Sequence, residues 1–297
     1  MLPKSVIGRL GAVLIVLALF GFAFVLLGPS SRQVVPRLPN PNGYDELLKA
    51  TGLIAASPID FRNLQLEELR ELVRQNRQAL AAARVGLAMD CGVAIPSSNA
   101  QVLDHIKSFV GLMNLALALA AEGRLAELEG RPDSATESYL AVIELGHDCS
   151  HGGPIIDKLV GVAIEAIGLE PLRMLSPRLD VEQCRKLIVV LETLEAQREP
   201  FDEVFRNERA YVKHTVRLHE RLGGLVAFRA IQRTNASAQQ KLQQWELQAR
   251  TTLVDLAVRA YELEKGQRPT NWAALVPGYL KAIPLDPITG TNLVYQF

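Results

Sequence analysis

The chain has 297 residues with 32 basic and 32 acidic side chains, a formal net charge of zero, and 48% of it is apolar. That length can bury a large core, and the charge balance lacks the electrostatic footprint of a nucleic-acid binder. Three cysteines, Cys91, Cys149 and Cys184, allow at most one disulfide and do not identify a redox compartment.

The run Leu10–Leu27 comprises eighteen residues without a charge, preceded by Lys4 and Arg9 and closed by Gly28-Pro29-Ser30. As a helix it covers about 27 Å, close to the hydrocarbon thickness of a bilayer. A cleavable signal peptide is the competing reading, but it usually has a shorter apolar region and a small-x-small site. A retained single-pass anchor, residues 1–29, is therefore expected. Lys4 and Arg9 orient the N-terminus to the cytoplasm and the body to the outer side, with Arg32 and Arg37 partly opposing. Those four are the basic residues of the first 37, which hold no acidic residue, so the remaining body is mildly acidic.

Residues 30–43 follow as a stiff spacer with Pro36, Pro39 and Pro41. Asn42-Gly43-Tyr44-Asp45-Glu46 then opens a helical body, residues 44–237, with acids where the helix dipole favours them. Apolar residues at helical spacing predict one amphipathic helix over Leu66–Leu87. A long apolar helix is predicted from about Val102 to Leu128; its His105 and Lys107 argue for a core helix over a second span. Gly130-Arg131-Pro132-Asp133 predicts a turn into a helix at Ser134–Leu145. Further helices are predicted at Ile155–Leu175, Val181–Ala196 and Phe201–Leu222, then a Gly223-Gly224 joint. The last runs from about Ala238 to Gly266. On it, Leu242, Trp245, Leu256 and Leu263 form an apolar packing stripe. The fold class is all-α, with a small α/β tail closing residues 238–297.

Two positions could carry chemistry. His147-Asp148-Cys149-Ser150-His151 places two imidazoles, a thiol and a carboxylate within five residues. Gly146 and Gly152-Gly153-Pro154 mark it as a helix end, where histidine complements the dipole, and no completing ligand pair follows. Glu165 is alone among Val160, Val162, Ile164 and Ile167. Buried there it would have a raised pKa and could act as acid or base; otherwise it bonds a neighbouring helix end. No P-loop, dinucleotide turn, G-x-S-x-G or H-E-x-x-H occurs, and no metal or cofactor is implied. Asn235-Ala236-Ser237 matches a glycosylation sequon, a short pattern common by chance.

Two segments resemble known families. Gly123, Ala135 and Tyr139 sit at the mutual spacing of the packing positions of one tetratricopeptide hairpin, across residues 112–147, with no second copy at that period. The tail carries Tyr261, Gly266, Pro269, a Leu-rich turn, Pro284, Asp286, Pro287, Gly290 and Tyr295. In that order it resembles the post-helix segment of type II secretion pseudopilins. From the residues themselves, Gly266 is expected to stop the long helix, Pro269 to set the exit, Thr270 to cap a short helix, and Asp286–Gly290 to turn into a final strand. The glutamate of a prepilin peptidase site is missing after Gly8 and Gly21. More than 200 residues separate run and tail, so a shared local fold is implied and a filament subunit is not. The calcium loop of some pseudopilins lies beyond the matched segment, so no metal ligand is carried over. Two functions follow as expectations. One is a membrane-tethered helical scaffold for other envelope proteins, in a secretion- or pilus-related setting. The other is an anchored enzyme around Glu165, His147 and His151.

Overall fold

The structure is a computed structural model describing residues 38–59, 61–96, 99–215 and 224–297, with backbone only at 99, 212–215 and 224–235. The apolar run and most of the spacer lie outside the described residues. Among those described, nine α-helices account for most of the chain and no strand occurs. They are α1 Gly43–Thr51, α2 Leu66–Gln75, α3 Arg77–Leu87, α4 Asn99–Leu128, α5 Pro132–Asp148, α6 Ile155–Leu175, α7 Val181–Ala196, α8 Phe201–Thr215 and α9 Gly224–Lys265. The body is all-α.

Local capping explains where several elements begin. Asn42 accepts the Tyr44 N–H at the head of α1. Asp180 and Gln183 form a reciprocal capping box at the head of α7. Pro132 occupies the first turn of α5, where a missing N–H costs nothing.

Several boundaries differ from the sequence expectation, the largest being that the last helix, expected from about Ala238 after a Gly223-Gly224 joint, already begins at Gly224. Leu66–Leu87 is two helices, broken at Asn76. The buried Asn76 side chain accepts the Ala55 and Ala56 N–H groups and donates to the Ala56 and Leu72 carbonyls. That demand from a loop twenty residues away outweighs helix continuity. The helix expected to stop at Leu145 runs on to Asp148, because Gly146 is a packing position within it.

Two core clusters organise the body. In the first, α1, α2 and α3 pack on the second half of α4 and on α5, burying Leu47, Leu69, Leu80, Leu112, Leu115 and Leu119. In the second, α5, α6, α7, α9 and the tail bury Tyr139, Leu169, Leu187, Leu256 and Leu275. Ala100–Leu128 is the one helix among the described residues long and apolar enough, by length and composition, to cross a membrane. Its second half is packed inside protein, while its first three turns are largely exposed.

The tail folds back onto α7 and α9. Gly266 ends α9 with φ of 68° and its N–H on the Glu262 carbonyl. The next turn, Trp272–Ala274, is a 3-10 turn capped by Asn271 without a side-chain bond, so Thr270 is not its cap. Asp286 Oδ1 accepts from Ile288 and Thr289 N–H, and Gly290 at φ of 72° completes the turn. A strand does not follow: the tail makes one isolated antiparallel bridge, Leu285 with Asn292. Pro284 and Pro287 flank Leu285 and supply no ladder N–H. Tyr295 donates to Asp255 at 2.7 Å, and Tyr261 packs edge-on to Tyr279 with centroids 5.4 Å apart.

A clamped carboxylate at the candidate site

Glu165 lies on α6 and is 2% exposed. Its carboxylate is fully engaged. Arg198, in the α7–α8 connection, donates to Oε2 at 3.1 Å and to Oε1 at 3.5 Å. Trp245 on α9 donates its indole N–H to Oε2 at 2.7 Å. Arg198 also donates to Glu195 at 3.2 Å, Glu195 accepts from Arg250 at 2.6 Å, and Arg250 lies 3.5 Å from Glu246. Burial opposes the charge on Arg198, but Glu165 and Glu195 outweigh it and hold the guanidinium above its ordinary pKa. The site is an ion-pair chain joining three segments distant in sequence.

A cavity of about 40 Å³ adjoins the clamp and is lined by Glu165, His147, Lys158, Arg198, Glu199 and Glu246 among others. That volume holds water-sized groups and falls well short of a drug-sized ligand. His147 closes the last turn of α5 and is buried. Burial, with Arg198 and Lys158 nearby, pushes its pKa down to about 4, so the imidazole is neutral. His151 lies beyond the helix end, 44% exposed, with Nδ1 3.7 Å from Glu199. The two rings are 6.3 Å apart. Glu199 pairs with Lys158 and accepts the Gly152 N–H at 3.0 Å, tying the post-α5 turn to α6. The structure thus brings Glu165 and His147 to one cavity and leaves His151 outside its lining, near Glu199. Among the described residues no set of three His, Cys, Asp or Glu is arranged to hold a metal ion. Cys91, Cys149 and Cys184 are free.

Within the α9 stripe, Leu242, Trp245 and Leu256 are buried, but Leu263 is 38% exposed. Leu263 belongs to the last turn of α9, outside the face that α7 and the tail cover.

A second buried polar group was not evident from the sequence. Asp157 in the first turn of α6 lies 2.9 Å from His105 Nε2 on α4, off the line of a good hydrogen bond, and Tyr44 Oη is buried without a partner. Glu208 on α8 accepts the Ile155 N–H at 2.9 Å, capping α6 from another helix because Pro154 offers no side-chain cap. Burial is the main cause that raises the Glu208 pKa to about 7, with Asp157 adding to it and the Ile155 N–H opposing. Only the arrival of α8 against α6 creates this cap, so no local motif announces it.

The raised pKa sets a pH dependence. Between the ordinary carboxylate value and about 7 the folded chain holds a proton on Glu208 that the unfolded chain releases. The stabilisation is complete below the unfolded pKa and is lost as pH rises through the folded one. Asp148, raised to about 7 mainly by burial, acts in the same direction. His147, lowered to about 4, acts oppositely, losing stability as pH falls below its unfolded value. Glu208→Gln keeps the acceptor for Ile155 and removes the titration. Urea unfolding will show E208Q close to wild type at pH 4 and more stable by about 1–3 kcal/mol at pH 8. Parallel stability profiles for the two proteins would contradict this.

No family model, curated protein or solved structure matches the chain.

Proposed function

We propose that the protein is a membrane-tethered helical scaffold of the cell envelope. In this reading Leu10–Leu27 spans the bilayer, the N-terminus is cytoplasmic, and the proline-rich spacer holds the body on the outer side. The observation that carries it is the clamp at Glu165. The buried carboxylate of Glu165 on α6 is committed to Arg198 and Trp245, so it holds helices together instead of serving as a free acid or base. Helical hairpins packed in this way mostly serve to make protein contacts. The pseudopilin-like order of tail residues supports a secretion- or pilus-related setting, and the hairpin at 112–147 supports protein contacts.

A second reading is an anchored enzyme, favoured by the cavity that places His147 beside Glu165 and Lys158. One experiment separates the two. The full chain is crosslinked in native membranes, washed with alkaline carbonate, purified gently, and its companions identified by mass spectrometry. The scaffold reading expects retention through carbonate and stoichiometric recovery of the same envelope protein in repeated preparations. Release by carbonate removes the anchor. Recovery of the chain alone with a small molecule bound overturns the scaffold in favour of the enzyme.

A further inference from the structure

The first three turns of α4 carry an apolar stripe that the body leaves bare. Leu103 is 60% exposed, Ile106 39% and Val110 63%. Their spacing of three and four puts them on one helix face about 10 Å long. On the same helix Phe109 and Leu112 turn inward to the core. Asp104 and Lys107 flank the stripe with an ion pair of 2.9 Å, both side chains 75% exposed.

We propose that this face of α4 rests on the bilayer, its apolar side chains entering the headgroup–acyl boundary. The inference depends on the reading of Leu10–Leu27 as a span. Leu38 and Pro39 lie against Gly92, and Asn42 holds Gly92 through both its N–H and its carbonyl. The segment that starts at Gly92 leads, seven residues on, to the head of α4. α1, which the spacer enters, packs on α4 with Thr51 against Gly111, next to Val110, so the spacer joins the body within one short helix of the stripe. Only residues 28–37 separate Leu27 from Leu38, at most about 40 Å of extended chain. A tether that short keeps the stripe at a high effective concentration beside the membrane, so three side chains suffice where they would not bind a bilayer alone. A second copy is a poorer occupant, since a stable dimer buries about 800 Å² on each partner and this stripe is only two turns long. The flanking ion pair fits the headgroup level, where charged side chains stay wet while their apolar neighbours are buried.

The test uses the full chain in proteoliposomes. Val110→Cys carries an environment-sensitive fluorophore, Val189→Cys on α7 serves as the control because Val189 is also exposed, at 57%, and unsubstituted protein gives the background from half-buried Cys91. Lipids bearing a shallow nitroxide quencher are expected to reduce emission at position 110 about twofold and leave position 189 unchanged. L103S/I106S in the V110C background is expected to abolish that quenching while the chain stays in the membrane. No quenching at 110 in carbonate-resistant protein overturns this inference alone, as does equal quenching at both positions. Disulfide-linked pairs of unlabelled V110C, together with no quenching of the labelled sample, overturn it in favour of a second copy. Release of the chain by carbonate overturns the anchor, and this inference falls with it.

Discussion

Glu165→Ala lowers the stability of the body by about 3–5 kcal/mol, because it leaves the Arg198 guanidinium buried without its main counter-charge. The substitution also orphans the Trp245 indole N–H, which donates to Glu165 at 2.7 Å in the wild type. For a body of this size the loss corresponds to a drop in Tm of about 10 °C. Glu165→Gln is milder, since the amide oxygen still accepts from Trp245 and only the charge is lost. The double variant E165A/R198M discriminates between mechanisms. Removing both charges cancels the desolvation cost that the single variant exposes, so the double is more stable than the sum of the singles by about 1–3 kcal/mol. Thermal unfolding followed by circular dichroism on all four proteins provides the cycle. E165A within about 1 kcal/mol of wild type, or strict additivity, would show that the clamp does not hold α6, α7 and α9 together.

The clamp also marks the limit of what the sequence discloses. Glu165 stands out as a charge in an apolar helix, and that much is legible from Leu159–Leu169 alone. Its partners are 33 and 80 positions away, and no periodicity links them. The boundaries of α6 and α7 are legible because their signals are local: Pro154 before one, the Asp180–Gln183 box before the other. The break at Asn76 is not, because its cause is the Ala55–Ala56 backbone arriving from another part of the fold. Likewise the Asp286–Gly290 turn follows from its own residues, whereas the strand expected after it needs a continuous partner and meets prolines instead. Leu263 fits the helical stripe by spacing, yet on the last turn of α9 it stays 38% exposed. The sequence thus specifies elements well and long-range polar pairing poorly, since the latter depends on which helices cross and how closely.

Gly146 and Gly161 set that closeness between α5 and α6, and alanine at either one is expected to be severely destabilising. A Cβ on Gly146 would lie 2.4 Å from the Gly161 carbonyl oxygen and 2.6 Å from the Glu165 backbone nitrogen. A Cβ on Gly161 would meet the Gly146 carbonyl oxygen at 2.4 Å. These neighbours are backbone atoms, so no side chain can rotate away and the two helices must part. Helix propensity pulls the other way, since alanine is favoured over glycine by about 1 kcal/mol inside a helix. Overpacking a fixed core costs about 1–3 kcal/mol, occasionally more. With rigid backbone on both sides the upper end applies, and the net loss is about 2 kcal/mol for each variant. Gly278→Ala is the control, because nothing lies within 4 Å of its Cβ position; its stability stays within about 0.5 kcal/mol of wild type. The crossing and the clamp are one device. The same Cβ on Gly146 would press on Glu165 Cγ at 2.7 Å, and a shift of α6 draws the carboxylate from Arg198 and Trp245. G146A combined with E165A is therefore less harmful than the two losses added, because the first already loosens what the second deletes. Urea unfolding of G146A, E165A and their combination measures this directly. Full additivity would mean that Glu165 keeps its partners when α5 and α6 separate, and that the glycine contact serves packing alone.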